Sequence, residues 1–256
     1  MIFDTHAHYD DRQFEEDRDQ LLSSMRQNNV GTIVNVGASL EGCRRSVELA
    51  EQYPFVYAAV GVHPDEVGEL NDEKLAWLRE TAQTHEKVVA IGEIGLDYHW
   101  DVEPREVQKQ WFIRQMELAA KVNLPIIVHS REASQDTFDL ISEYGQGLGG
   151  VIHCYSSSPE MAREYVKMGY HIGIGGVVTF KNAKKLKETA IQIPLESILL
   201  ETDCPYMAPT PYRGKRNNSI YIDYVAAEIA ALRGLTKEEV IAQTEQNAKR
   251  LFGGRK

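Results

Sequence analysis

Short, nearly continuous apolar runs recur along the chain, and amphipathic stretches fill the intervals between them. The runs are IFDTHAH (2–8), TIVNVG (32–37), VYAAVGVH (56–63), VVAIGEIGLD (88–97), LPIIVHS (124–130), GGVIHC (149–154), YHIGIGG (170–176) and SILLETD (197–203). They are rich in Val and Ile and apolar on consecutive residues, which predicts parallel strands buried on both faces. Helices are predicted over 14–29, 40–52, 72–84, 105–122, 132–144, 158–168 and 181–191, with two more over 219–233 and 236–252. Within 105–122, Trp111, Phe112, Met116, Leu118 and Ala119 follow helical spacing. Asn71-Asp72 and Ser158-Pro159 read as helix starts, and Thr236 followed by Glu239 as a capping box.

Eight strands alternating with helices fit either a closed (β/α)₈ barrel or an open doubly wound sheet. The polar residues decide between them. His8, His63, Glu93, His129, His153 and Asp203 stand at or near the C-terminal ends of six different runs. In a barrel those ends converge on one rim, whereas in an open sheet they spread along an edge. No GxGxxG follows the first run, which weakens a dinucleotide-binding reading. The expected fold is α/β, a single (β/α)₈ TIM barrel, and no linker or repeat divides the chain, so one domain over 1–256 is expected.

The net charge of −10 argues against tight, non-specific binding of duplex nucleic acid, though not against a small basic site. Three cysteines, Cys43, Cys154 and Cys204, form no CxxC pair, so a disulfide scaffold is not expected. The opening residues Met-Ile-Phe-Asp carry no basic residue and no long apolar stretch, so a signal peptide is not expected, and no run nears the ~20 apolar residues that span a bilayer. A cytoplasmic protein, with no membrane association and no obligate protein partner, is expected.

The chemistry begins at DTHAH. His6 and His8 are two residues apart, so on a strand they face one side, in a barrel the interior. Two inward imidazoles can bind one metal ion. Asp4 has the same parity one step deeper, the place of a supporting outer carboxylate. His129 and His153 each close a buried run, and with Glu93 and Asp203 they complete a nitrogen- and oxygen-rich set suited to Zn²⁺, Mn²⁺ or Mg²⁺. Cys154 and Cys204 each follow a candidate ligand by one residue, and strand alternation would turn Cys154 outward as a small buried hydrophobe. His171, at the start of its run, reads as structural, and His85 and His99 as exposed.

DTHAH, GVHP (61–64), GEIGLDY (92–98), PIIVHSR (125–131), IHCYS (152–156), ETDCPY (201–206) and YRGKRN (212–217) together resemble the TatD-type deoxyribonucleases, metal-dependent hydrolases of the amidohydrolase superfamily. The resemblance covers nearly the whole chain. It implies two divalent metal ions, with His6, His8 and Asp203 on one, His129 and His153 on the other, and Glu93 bridging, where some superfamily relatives use a carboxylated lysine. It implies phosphodiester hydrolysis by a metal-bound hydroxide, with Glu93 and Asp203 as catalytic carboxylates and DNA ends or short oligonucleotides as substrate. The chain departs from the family pattern at HCYSS in place of HCFSG, and at RGKRNNS in place of RGKRNxP. Both departures flank the site without removing a ligand and bear on substrate preference.

His63, before Pro64, is a further candidate substrate contact. Arg213, Lys215 and Arg216 lie in the loop after the eighth run, near where TIM barrels often hold phosphate, and are expected to contact it. The alternative for this loop is a salt bridge to the barrel. Lys181, Lys184, Lys185 and Lys187 read as a solvated helix face. Glu201, of the same parity as Asp203, is expected to orient a ligand histidine. Two other functions share this metal set: a metallo-amidohydrolase or lactonase acting on a small molecule, and a non-catalytic metal-binding barrel. The RGKR loop favours phosphate over the former, and the complete ligand set favours catalysis over the latter.

Overall fold

A computed structural model describes residues 1–100 and 102–253; residues 101 and 254–256 of the expected domain lie outside the described residues. The strands are β1 (Ile2–Ala7), β2 (Val30–Val36), β3 (Val56–Val60), β4 (Val88–Asp97), β5 (Ile126–Arg131), β6 (Gly150–Ile152), β7 (Tyr170–Ile174) and β8 (Ile198–Leu200). They form one sheet in sequence order, and every adjacent pair is parallel. The sheet closes beyond the end of β8, where Ala7 pairs in parallel with Cys204. There the His8 N–H donates to the Cys204 carbonyl at 2.8 Å and the Asp203 N–H to the His6 carbonyl at 2.9 Å. The expected (β/α)₈ barrel is the observed fold.

The helices are α1 (Arg18–Ser23), α2 (Leu40–Gln52), α3 (Asp72–Thr84), α4 (Arg105–Val122), α5 (Ser134–Tyr144), α6 (Pro159–Lys167), α7 (Lys184–Gln192), α8 (Ile222–Arg233) and α9 (Lys237–Phe252). Their starts follow local chemistry. Asn71 accepts from the Lys74 N–H, Ser158 from the Met161 N–H, and Thr236 and Glu239 form a reciprocal capping box. The continuous helix expected over 14–29 is not formed. Only the short α1 is α-helical there, between 3-10 turns at Arg12–Phe14 and Arg26–Asn28. Polar side chains compete with the helical ladder at its start: Asp11 accepts from the Gln13 N–H, and Arg18 reaches back to the Tyr9 carbonyl. No helix of the described residues is long and apolar enough to cross a membrane.

Two apolar layers result. One fills the space between sheet and helices, with Ile33, Ile91, Phe112 and Ile126 fully buried. The other fills the barrel: Phe3, Val36, Ala59, Ile127, Val151 and Leu199 cluster with Phe252 of α9, which stoppers the end away from the strand C-termini. The site sits at the opposite end, where β6 and β8 stop short of their apolar runs. Cys154 and Asp203 take left-handed backbone conformations, φ 45° and 57°, which end strand geometry and re-aim the residues that follow Ile152 and Leu200.

The parity expected for Asp4 is corrected. β1 is irregular between Asp4 and Ala7: Asp4 pairs with Ile33 but Ala7 with Asn35, three residues against two. His6 and His8 therefore face the interior while Asp4 faces the start of α8. The Asp4 carboxylate itself accepts the His6 N–H at 3.2 Å, which helps hold the bulge. It also accepts from the Thr202 N–H, and from the Thr202 and Ser219 hydroxyls at 2.7 and 2.6 Å. Replacing Asp4 by Ala would take the acceptor from four buried donors, of which the His6 N–H has no other while Thr202 and Ser219 keep secondary partners in the His6 carbonyl and Tyr9, and cost about 3 kcal/mol. Thermal denaturation should show a melting temperature about 6–10 °C lower; an unchanged midpoint would remove Asp4 from the framework of the site.

Candidate active site

Three strands and two strand exits supply the main polar groups of a cavity of about 740 Å³ at the C-terminal rim. The β1 bulge presents His6 and His8. On β4, Glu93 and Asp97 share a face, and Asp97 pairs in register with Arg131 of β5, two residues beyond His129. His153 follows β6, and Glu201 and Asp203 follow β8.

The histidines meet around Glu93. The Nε2 atoms of His6 and His8 are 3.0 Å apart. Glu93 Oε2 lies 3.3 Å from His6 Nε2 and 3.8 Å from His8 Nε2. Glu93 Oε1 turns the other way, 2.8 Å from His129 Nδ1 and 3.8 Å from His153 Nε2. Asp203 Oδ1 completes the floor, 3.4 Å from His8 Nε2, 3.8 Å from His153 Nε2 and 3.9 Å from His6 Nε2. His8 Nδ1 lies 2.8 Å from the Val36 carbonyl, which can only accept, so Nδ1 carries a proton and Nε2 is the nitrogen aimed at the cluster, available to an ion once its own proton is released.

These residues fit a metal centre. Several nitrogen and oxygen lone pairs point into one small space, and His6 Nδ1 and His153 Nδ1 have no hydrogen-bond partner although buried. Among the described residues, four groups have ligand atoms close enough to share an ion: His6, His8 and Asp203; His6, Glu93 and His153; His63, Asp97 and His129; and His153, Cys154 and Glu201. His129 and His153 do not fall in one group. His129 instead spans two carboxylates, with Nε2 3.0 Å from Asp97 Oδ2.

Electrostatics follow from this crowding. Burial opposes charge on His8, but Asp203, Glu93 and Asp10 outweigh it and lift the ring to about 10. Burial likewise opposes charge on His129, where Asp97 and Glu93 prevail and lift it to about 9. His153 is lifted to about 9 against burial, chiefly by Glu201. His6 goes the other way, lowered by burial and by His153. Burial alone would raise Glu93 and Asp203, yet the surrounding rings hold Glu93 well below the usual carboxylate range and lower Asp203 as well. Both carboxylates are ionised at neutral pH.

The remaining candidates are placed as follows. His63 lines the cavity with its ring edge-on to His129, centroids 4.3 Å apart, and its Nδ1 accepts the Asp65 N–H. Burial and His129 lower it to about 4, so it is neutral at physiological pH. Glu201 is fully buried; its Oε2 lies 3.2 Å from His153 Nδ1, off the line of a hydrogen bond, while Oε1 accepts the Cys154 N–H at 2.6 Å. Arg213, Lys215 and Arg216 do not line the cavity. Arg216 forks onto Asp17 at 2.8 and 2.5 Å, the salt bridge that stood as the alternative for this loop, and Arg213 lies over the Phe180 ring at 4.5 Å. Cys154 is corrected: it does not face the helices but lines the cavity, because its left-handed backbone interrupts strand alternation. Burial raises its thiol well above the usual range, so it is a neutral wall rather than a thiolate.

Sequence reasoning did not single out Asp97 or Arg131. Each shares parity with a residue that was singled out, Asp97 with Glu93 and Arg131 with His129, and that periodicity was the available signal.

The chain matches the family described as TatD related DNase over residues 3–253. It is 47% identical over 253 residues to a Bacillus subtilis protein named uncharacterized metal-dependent hydrolase YabD, covering 98% of this chain and 99% of that one. Among solved structures it is similar to YjjV, a TatD homologue of Escherichia coli, with TM-score 0.92, 33% identity and 99% and 98% of the two chains covered. A TatD-family hydrolase of Entamoeba histolytica gives a TM-score of 0.89 at 25% identity, covering 98% of each chain. With its rim of histidines and carboxylates on the same barrel, this chain belongs to the TatD-related DNase family.

Proposed function

We propose that this chain is a metal-dependent hydrolase of phosphodiester bonds, a deoxyribonuclease acting on DNA ends and short oligonucleotides, with 1–256 as one catalytic domain. The observation that supports the reading is the orientation of Glu93, whose two oxygens face two different sets of histidines across one cavity floor. A carboxylate so placed can touch two cations at once. Divalent ions bound there would polarise a phosphate oxygen and lower the pKa of water. His6, His8 and Asp203 would hold one ion, His129 and His153 the other, and Glu93 would be shared.

The chain's own groups carry the rest. Asp203 Oδ1 is ionised and reaches the cavity, so it can take a proton from the attacking water and return it to the leaving oxygen. The Val36 carbonyl fixes which nitrogen His8 offers. Glu201 sets a negative charge behind His153 and accepts the Cys154 N–H. His63, neutral and beside His129, offers a hydrogen bond to a substrate oxygen. Lys215 and Arg213, exposed on the loop after β8, would meet phosphates outside the cavity.

The test is the metal-reconstituted protein on end-labelled DNA, beside simple ester, lactone and phosphodiester substrates. Release of nucleotides from ends and cleavage of the diester are expected; turnover of a lactone with none of the diesters would overturn the reading. At a net charge of −10 the protein grips few phosphates, so activity should fall only gently with salt. Steep salt dependence, or rapid nicking of closed circular duplex, would point to an endonuclease instead.

A further inference from the structure

The cavity's charge poses a problem for a polyanionic substrate. Apart from its histidines, its charged lining is carboxylate with one exception: Arg131 is the one Arg or Lys side chain among the described residues that line it. Arg131 ends β5, two residues beyond His129 and therefore on the same inward face, one step nearer the mouth. Its side chain is exposed, and no carboxylate among the described residues pairs with it; its guanidinium lies over the indole of Trp100, 5.3 Å from the ring centroid. Trp100 also lines the cavity and is 61% exposed, so its indole is open to a ligand at the mouth.

We infer that Arg131 and Trp100 form a nucleotide step at the mouth, Arg131 gripping the phosphate beside the scissile bond and Trp100 stacking an unpaired base on the face that Arg131 leaves free. The inference rests on the phosphodiesterase reading and deepens it. A guanidinium held against an aromatic face keeps its N–H fork open toward phosphate oxygens. An exposed indole stacks any base, without sequence preference. Paired bases are already stacked and cannot lie on Trp100, so the step selects frayed ends and single strands. This places the gripping cation inside the rim, where the RGKR loop does not reach.

The test pairs kinetics with binding. With a deoxydinucleotide as substrate, Arg131→Ala should raise KM roughly tenfold or more with a smaller effect on kcat, and Arg131→Lys should recover part of the loss. Trp100→Ala should raise KM for the dinucleotide about tenfold yet leave a small diester without a nucleobase unchanged. Separately, a deoxynucleoside monophosphate should quench the tryptophan fluorescence of the metal-loaded protein, and Trp100→Phe should abolish the quench. Arg131→Ala should weaken binding of the monophosphate but not of the uncharged nucleoside. Wild-type KM in both alanine variants, with no quench lost, would overturn the inference. Failure of the wild type to cleave any diester would instead count against the phosphodiesterase reading, while the fluorescence titration still decides whether the nucleotide step exists.

Discussion

Asp203→Asn is expected to lower kcat on a phosphodiester by about 10²–10⁴-fold, the range that removal of a positioned proton acceptor produces. The amide keeps the size of the carboxylate and an oxygen that can still face His8, so the fold and much of the metal should survive. What is lost is basicity: the surrounding histidines lower the pKa of Asp203 despite its burial, so the wild-type group is ionised and ready to accept a proton. Circular dichroism and elemental analysis on the variant separate loss of chemistry from loss of structure. Activity equal to wild type would remove Asp203 from the mechanism, whatever its closeness to the three rings.

Stripping the protein with a strong chelator should abolish turnover, and a divalent ion added back should restore it. Reloading should also release protons. Without an ion, the neighbouring carboxylates lift His8 to about 10 and His129 and His153 to about 9 against the effect of burial, so at pH 7 these rings hold an extra proton. A ligand nitrogen must give that proton up. Metal affinity should therefore fall as pH falls from about 10, because each ring is increasingly protonated below its pKa and the ion must displace that proton. Calorimetric titration of metal at pH 7, in two buffers with different heats of ionisation, measures the number released. Heats that do not depend on the buffer would show that the rings are already neutral and that this account of the site is wrong.

The barrel was readable because buried parallel strands carry a strong signal: eight apolar runs, each ended by a turn or a polar residue, are hard to arrange otherwise. Helices with side-chain caps were the easiest to bound. α2, α3 and α4 occupy the predicted residues, two of them capped by Ser39 and Asn71. The segment 14–29 was hard because its stop signals are side-chain to backbone hydrogen bonds, such as that of Arg18 to Tyr9, which no periodicity reveals. In the site, His6 and His8, and Glu201 and Asp203, do come to the same cluster as their parity suggests, although the first pair sits at a bulge and the second beyond the end of β8. Parity misled for other residues where the backbone leaves the pleat. The bulge after Asp4 turned that carboxylate to the outside, and the left-handed backbone of Cys154 turned that thiol inward. Charge was the weakest guide, since RGKR stands out in the sequence while Arg216 is committed to Asp17 and a lone arginine after His129 reaches the cavity.

The seam that closes the barrel has a bearing on when the protein becomes reactive. The hydrogen bonds joining β1 to the strand-eight exit run between the backbones of His6 and Asp203 and of His8 and Cys204, so the seam and the reactive centre share His6, His8 and Asp203. Partners almost 200 positions apart must meet before either exists, a late event for contacts of such long loop length. A chain still emerging from the ribosome is therefore catalytically silent until the segment past residue 203 has been made and has docked. The reverse also holds: a local opening of this seam dismantles the centre while the other strand pairs stay intact, so during gentle heating hydrolysis should vanish before helical signal is lost.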